Sequence, residues 1–465
     1  MAICTSNLTS GFIDLATYDE QEKYMYGGRH ATAYFVRETR KSTWFTQVPV
    51  VLSKCSGAPE FGAEWSVQIS RAGDYLLQTW LRVELPKVEV AVSVEAGDVR
   101  LRWTRNVGHA LIKECCLTFN DLVAARFDNY HLDFWTAFTT PASKRNGYDN
   151  MIGNVPHLVG AGNEHSLEAH MLNVPLPFFY TRDSGVALPT AALPYNDMRI
   201  QFQFRGLEEL LIVDQCLNDV EQSHCTLPAG VKYVGGEPKL KNVAVWANYA
   251  IVSNDERKRM ACAPRDILIE QVQTAPPCGF HPKATTTPEQ YDVRFSHAIK
   301  CLFFAVRNKT LACEHANYTT SPAQFNASGS ELSPDQAYDP IREASLLYEN
   351  TVRLGCMGSD FYSLVEPYYK APAIPEVTGY HMYSYSLDFF NLDPMGSTNY
   401  GKLTNVGLRV CPSEQAVSAA AGTLENKGSC GDNDTYPEQK FEFVVIAVNN
   451  NIVRISGGAL GFPVL

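Results

Sequence analysis

Apolar and polar residues alternate with a period of two along several stretches of this 465-residue chain. From Tyr75 to Leu85, one side of an extended segment carries Tyr75, Leu77, Thr79, Leu81, Val83 and Leu85, and the other carries Leu76, Gln78, Trp80, Arg82 and Glu84. That pattern predicts a half-buried strand. Met198, Ile200, Phe202 and Phe204 alternate with Arg199, Gln201, Gln203 and Arg205, as in an antiparallel sheet with one wet face. Phe441 to Val448 is apolar on both faces and belongs in the middle of a sandwich. Phe443 to Val448 is the longest candidate for a membrane span and falls far short of the roughly 18 to 20 apolar residues a spanning helix needs.

Helical signals are few. Ser253 and Glu256 stand at capping-box spacing before Arg257-Lys258-Arg259-Met260-Ala261, and Pro264 stops the segment, which predicts a short helix over 254–263. Tyr130, Phe134 and Phe138 recur every four residues ahead of Pro141, which predicts a second over Asp128–Phe138. Everything else reads as strand, turn or loop. Many strands separated by Gly, Pro, Asn and Asp turns, with no βαβ alternation, define an all-β protein built of sandwiches.

The helix at 254–263 divides two stretches that repeat the same order of features. Ile69-Ser-Arg-Ala-Gly-Asp74 opens one strand as Phe295-Ser-His-Ala-Ile-Lys300 opens another. Phe178 to Asp183 leads to Leu193 and Arg199, as Leu387 to Phe390 leads to Asp393, Leu403 and Arg409. Asp183, Leu193 and Arg199 align with the last three at one constant offset. The order of elements, more than these identities, predicts an internal duplication.

The length supports two domains, and 45% apolar residues are enough for two cores. Charged residues are only 19%, below the roughly 25% of ordinary soluble domains, so part of the surface is expected to be covered by neighbouring subunits. A net charge of −11 without a basic stripe argues against direct nucleic-acid binding. The first residues lack the charged and apolar regions of a signal peptide, so folding in the cytosol is expected. Thirteen scattered cysteines, with Cys115 and Cys116 adjacent, fit neither a disulfide framework nor a zinc pair and are read as free, mostly buried thiols.

Motifs with chemical potential give way to plainer readings. His165, Glu168 and His170 miss the spacing that points zinc ligands at one ion from a helix. His224-Cys225 and Cys313-Glu314-His315 supply two ligands each, where a structural zinc site takes four. There is no Gly-x-Ser-x-Gly elbow and no phosphate loop, and Ser184 in Asp183-Ser184-Gly185 reads as a turn. No catalytic, cofactor or metal residue is therefore assigned. Asn7, Asn308, Asn317, Asn326 and Asn433 each begin an Asn-x-Ser/Thr sequon. The three between 308 and 326 suggest exposure rather than glycosylation.

Several stretches resemble the major capsid proteins of iridoviruses, and more distantly those of other large cytoplasmic DNA viruses. They are Thr9-Ser-Gly-Phe-Ile-Asp-Leu15, Met25-Tyr-Gly-Gly28, Ile69 to Asp74, Val174-Pro-Leu-Pro-Phe-Phe-Tyr-Thr-Arg-Asp-Ser-Gly-Val-Ala-Leu-Pro189, Leu193 to Ile200, Ile269-Glu-Gln-Val-Gln273, Arg294-Phe-Ser-His297, Tyr362 to Pro367, Pro394-Met-Gly-Ser-Thr-Asn-Tyr-Gly401 and Gly461-Phe-Pro-Val-Leu465. These matches are collinear over essentially the whole chain.

The resemblance implies a double jelly roll, two consecutive eight-stranded sandwiches with a few short helices. It also implies a structural, non-enzymatic virion protein without cofactors, made in the host cytoplasm. Such proteins form homotrimeric, pseudo-hexagonal capsomers that contact neighbouring capsomers and tile an icosahedral capsid. The expected division is an arm at 1–29, a first jelly roll at 30–253, a linker helix at 254–264 and a second jelly roll at 265–465. The arm is expected on the inner capsid face, against minor capsid proteins or the internal membrane side. Residues 308–342, polar and aperiodic, are expected to form the most exposed loop of the second jelly roll. The alternative function is a jelly-roll lectin, which would need a concave aromatic and carboxylate site.

Overall fold

A computed structural model describes residues 6–93, 96–160, 165–217, 220–321, 338–424 and 438–463. Residues 1–44 and 45–465 form separate compact units. The first contains α1 (Ser6–Ala16) and α2 (Glu20–Met25). Glu22 caps α2 by accepting from the Asp19 N–H at 3.2 Å. Phe12, Ile13, Leu15, Tyr24 and Met25 are all exposed.

The second unit holds sixteen principal strands. Eight precede residue 253: β1 (Phe45–Val51), β2 (Glu64–Gln68), β3 (Tyr75–Leu85), β4 (Ile112–Phe119), β5 (Leu122–Asp128), β6 (His170–Pro175), β7 (Met198–Phe204) and β8 (Lys241–Val252). Eight follow: β9 (Arg265–Thr274), β10 (Glu289–Asp292), β11 (Ala298–Asn308), β12 (Ile341–Tyr348), β13 (Thr351–Gly358), β14 (His381–Ser384), β15 (Val406–Pro412) and β16 (Phe441–Ser456). The first set pairs in the orders β1-β8-β3-β6 and β2-β7-β4-β5, and the second in the orders β9-β16-β11-β14 and β10-β15-β12-β13. Adding eight to each number converts one half into the other. Both halves are therefore jelly rolls of one topology, and the expected duplication lies in strand order. Arg199 and Arg409 fall on the equivalent strands β7 and β15.

Each half has its own core. Leu81, Val83, Ile200, Phe202 and Phe204 lie in the first, and Phe304, Val306, Leu346, Phe443 and Val445 in the second. Strand β3 departs from the predicted alternation at one place. Tyr249 pairs with Leu76 and Asn248 with Gln78, so Leu77 bulges out of register and Leu76, fully buried, takes its place in the core.

The helix expected from Tyr130, Phe134 and Phe138 is α3 (Asn129–Thr139), capped by Asp128, whose side chain accepts from the His131 N–H at 2.9 Å. The linker helix is α5 (Asn254–Cys262), but Ser253 makes no side-chain cap bond. Arg257 instead reaches back to Asp74 at 2.7 Å, tying α5 to the start of β3.

Further helices correct the reading of the remaining chain as strand, turn and loop. They include α4 (Ala142–Ile152), α6 (helical turns Phe361–Val365 and Glu366–Lys370, running on continuously) and α7 (Glu414–Ala420), besides the shorter helices Val107–Leu111 and Pro156–Val159. Among the residues of α4 only Ile152 is buried, so no apolar stripe announces it. Its tertiary hold includes the Tyr148 hydroxyl, 2.6 Å from His109 Nε2.

Candidate functional site

The chemistry of this chain concentrates where the two jelly rolls meet. α3, which follows β5 in the first jelly roll, lies on the outer face of the β9-β16-β11-β14 sheet of the second. Tyr130, Phe134, Trp135 and Phe138 pack there against Phe303, Met382, Val444, Ile446 and Val448. The Phe134 and Phe138 rings stack on Phe303 at 6.0 and 5.4 Å between centroids. This explains the two apolar faces of β16: Phe443, Val445 and Ala447 face their own core, while Val444, Ile446 and Val448 face α3.

Buried polar groups ring this apolar contact. Glu270 on β9 receives Lys300 at 2.6 Å and Arg182 of the first jelly roll at 3.0 Å. The Arg182 guanidinium lies 4.4 Å above Trp135 and 4.8 Å above Phe390, a cation–π sandwich. Asp133 on α3 accepts from Asn106 at 3.1 Å and from Tyr318 of the second jelly roll at 3.1 Å, and holds His109 Nδ1 at 2.6 Å. His315 Nδ1 accepts from Arg307 at 3.2 Å, so its Nε2–H donates to the Glu209 carbonyl at 3.0 Å. Burial, reinforced by Arg205 and Arg307, lowers the His315 pKa to about 2. Burial and then Arg182 lower that of His131 to about 3. Both imidazoles are neutral structural groups.

The long connections of the two halves are also joined. Strand Asp98–Trp103, between β3 and β4, pairs with Leu211–Leu217, between β7 and β8. Arg102 binds Asp214 at 2.7 Å and Glu314 of the second jelly roll at 3.4 Å. Burial opposes the Arg102 charge, but the two carboxylates outweigh it and raise its pKa. Cys225 and Cys313 form a disulfide with Cα atoms 5.6 Å apart. Two motifs weighed as metal ligands thus meet, as a covalent staple. This corrects the reading of all cysteines as free, and Cys55, Cys262, Cys278 and Cys356 are exposed rather than buried. Spacing alone held no signal for the pairing, because the partners lie 88 residues apart.

The other singled-out residues do not converge. Glu168 pairs with Lys87 at 3.2 Å, while His170 packs its ring against His157 at 5.5 Å, and His165 is exposed. Asp183 accepts from the Gly185 N–H at 3.0 Å, so Ser184 sits in a turn. A cleft of about 240 Å³ on the outer side of β2 and β7 is lined by Glu64, Glu114, Cys116 and Arg199. Glu114 is held by Arg126, and burial with Glu114 pushes the Cys116 thiol up to about 12, so it offers no nucleophile.

The sequons correct the expectation of an exposed loop. Asn308 and Asn317 are buried, as is all of 313–321. Each Asn Oδ1 accepts from the backbone N–H and hydroxyl of the Thr two residues on, Thr310 and Thr319. Asn308 also donates to the Thr319 and Ser321 carbonyls and to Gln439. Here the Asn-x-Thr pattern is an internal turn, which local sequence cannot distinguish from a surface one. Residues 322–337, with Asn326, and Asn433 lie outside the described residues.

Two like-folded sandwiches, joined by an apolar sheet–helix contact and stapled at their connections, define the double-jelly-roll class of capsid protein. The fold is shared with the quasi-atomic model of the PBCV-1 virus capsid, at a TM-score of 0.72 and 20% identity over 93% of this chain and 100% of that one. It is shared too with the Faustovirus major capsid protein, at 0.70 and 11% over 92% and 93%. Residues 33–252 match the family described as major capsid protein N-terminus, and 256–461 match the large eukaryotic DNA virus major capsid protein. The major capsid proteins of Costelytra zealandica iridescent virus and of Invertebrate iridescent virus 6 are 59% and 58% identical to this chain, each over 100% of both sequences. That of Lymphocystis disease virus 1 is 48% identical over the same extent. The chain belongs to the major capsid proteins of large eukaryotic DNA viruses, on the iridovirus branch. It is a structural protein of the virion capsid and not an enzyme.

Proposed function

We propose that this chain builds the capsid as a homotrimer, each trimer presenting six similar sandwiches as a pseudo-hexagonal capsomer that packs against its neighbours. The observation that carries this reading is the identical strand order of the two halves, held side by side by the α3 contact. A chain that already carries two like units reaches six with three copies, which suits a threefold oligomer to a sixfold lattice. In this reading 30–253 and 265–465 are the two tiles, 254–264 the link and 1–29 an arm that engages minor capsid proteins on the inner face. The exposed Phe12, Ile13, Leu15, Tyr24 and Met25 support a protein-binding arm. So do the four carboxylates of 1–29, Asp14, Asp19, Glu20 and Glu22, against two cations, Lys23 and Arg29, because an anionic bilayer attracts basic segments.

Sedimentation of the purified protein tests the trimer: three times the 51.7 kDa chain mass is expected, and a monomer or dimer overturns it. Deleting 1–28 is expected to leave trimers intact while preventing regular particles in electron micrographs. Normal particles from the truncated chain would remove the role of the arm.

A further inference from the structure

We infer that a second copy of this chain docks its α6 onto the outer face of the β1-β8-β3-β6 sheet, repeating between chains the contact that α3 makes with the second jelly roll inside one chain. The inference deepens the trimer reading above by assigning its contact surfaces.

The intrachain contact serves as the template. One row of opposed residues crosses the covered sheet from β9 to β14: Thr274, Ile446, Phe303 and Met382. α3 lies on this row, with Phe134 and Phe138 over Phe303.

The duplicated fold contains a second copy of each half of that contact, and among the described residues the sheet half is partly exposed and the helix half largely so. On the sheet side, the equivalent row from β1 to β6 is Val51, Trp246, Trp80 and Pro175. β3 and β11 are both eleven residues long, and Trp80 is the sixth residue of β3 as Phe303 is of β11. Trp80 and Trp246 stack on each other at 6.2 Å, 11° from parallel. Both are only partly buried, and Val51 is 45% exposed. Around them stand Gln47, Gln78, Asn248 and Arg82, giving an aromatic centre with a polar rim, the composition of a protein interface.

On the helix side, α6 follows β13 as α3 follows β5, and β13 ends 230 positions after β5. That offset carries Phe134, Trp135 and Phe138 onto Leu364, Val365 and Tyr368. The three α3 residues are 0, 9 and 0% exposed, whereas the α6 residues are 53, 43 and 69% exposed. Tyr369, beside them, is 75% exposed. The flanking strands repeat the relation. β5 runs along β9, where Gln271 donates to the Ala124 carbonyl at 2.9 Å, and their counterparts β13 and β1 are exposed over most of their length.

The occupant of each bare face follows from the other. A helix shaped for the outer side of such a sheet and a sheet shaped for such a helix sit on opposite halves of the same molecule. They can meet only between copies, in a head-to-tail contact, which generates a ring when the rotation between copies closes and an open filament when it does not; the trimer reading above requires closure at three.

Three measurements on the full-length protein test this. Replacing Tyr368 by the photo-crosslinker p-benzoylphenylalanine is expected to crosslink to residues 45–51, 75–85, 170–175 or 241–252 of another chain. Crosslinks confined to other segments overturn the assignment. The double variant Leu364→Asp/Tyr368→Asp, and separately Trp80→Gln/Trp246→Gln, are expected to shift sedimentation from three chains to one while circular dichroism stays unchanged. Val234→Asp, at an exposed position outside both faces, is expected to remain trimeric. If both double variants still sediment as trimers, the surfaces are misassigned and the trimer stands. A wild-type protein that is not trimeric refutes the capsomer reading itself.

Discussion

Truncating Phe134 to alanine should uncouple the two jelly rolls before it unfolds either of them. Phe134 is fully buried, yet it belongs to neither core. Its ring meets Phe303 at 6.0 Å, Tyr318 at 5.5 Å and Tyr380 at 5.7 Å, three residues of the second jelly roll, from a helix of the first. Removing a buried phenylalanine ring costs about 3–5 kcal/mol, the lost transfer energy plus the cavity left behind. Stabilities of folded domains are about 5–15 kcal/mol, so this is a large share of what holds the halves together. For units of 150–250 residues, each kcal/mol moves the midpoint by about 2–4 °C, which predicts a fall of about 6–20 °C in the transition that reports on the contact.

The assay is differential scanning calorimetry of Phe134→Ala beside Phe202→Ala, a residue of the first core. The interface variant should broaden or split the transition. The core variant should lower the unfolding of the first jelly roll without separating the halves beforehand. A single unsplit transition within 2 °C of wild type for Phe134→Ala would falsify the view that the α3 contact couples the two sandwiches.

Three further outcomes follow from the same interface. Replacing Cys225 and Cys313 by serine opens a cross-link between residues 88 apart, for which chain entropy allows up to about 4–5 kcal/mol. A reducing agent should therefore lower the melting midpoint of the wild type and leave the double variant unmoved, and equal effects on both would contradict the bond. Asp214→Ala removes one of the two carboxylates that hold the buried Arg102 guanidinium, leaving Glu314 at 3.4 Å, and should destabilise by up to about 3–5 kcal/mol, more than Asp266→Ala at the exposed Arg454 pair; similar losses in denaturant titrations would argue against a buried cluster. His131 and His315, with folded pKa values lowered to about 3 and about 2, bind protons only in the unfolded chain below about pH 6.5. Stability should then fall with acidification at about 1.4 kcal/mol per pH unit for each histidine; a His315→Gln protein with the wild-type slope between pH 6 and 4 would show that this imidazole does not contribute.

Local sequence was a good guide wherever one residue's burial follows from its neighbours along the chain. The alternation at Met198–Phe204 placed four side chains in the core as written. The four-residue recurrence of Tyr130, Phe134 and Phe138 located α3, and the shared order of features located the duplication. In β3 the same rule failed by one position, because the bulge at Leu77 is set by its pairing with β8 across the sheet. α4 was invisible because its hold comes from contacts such as Tyr148 with His109, not from a stripe of its own.

The sequence by itself determined that this is an all-β chain of two like halves joined by a short helix, and its resemblance determined the capsid family. Only the tertiary structure decided which surfaces those halves share. It put Cys225 beside Cys313, turned the sequons of Asn308 and Asn317 inward, and covered Phe303 with α3 while leaving Trp80 at the equivalent position partly exposed. The physical reason is range. Periodicity records that a side chain is withdrawn from water, an averaged property of nearby residues. Which partner withdraws it depends on segments tens to hundreds of residues away, and at Trp80 the sequence shows an aromatic residue without showing what will cover it.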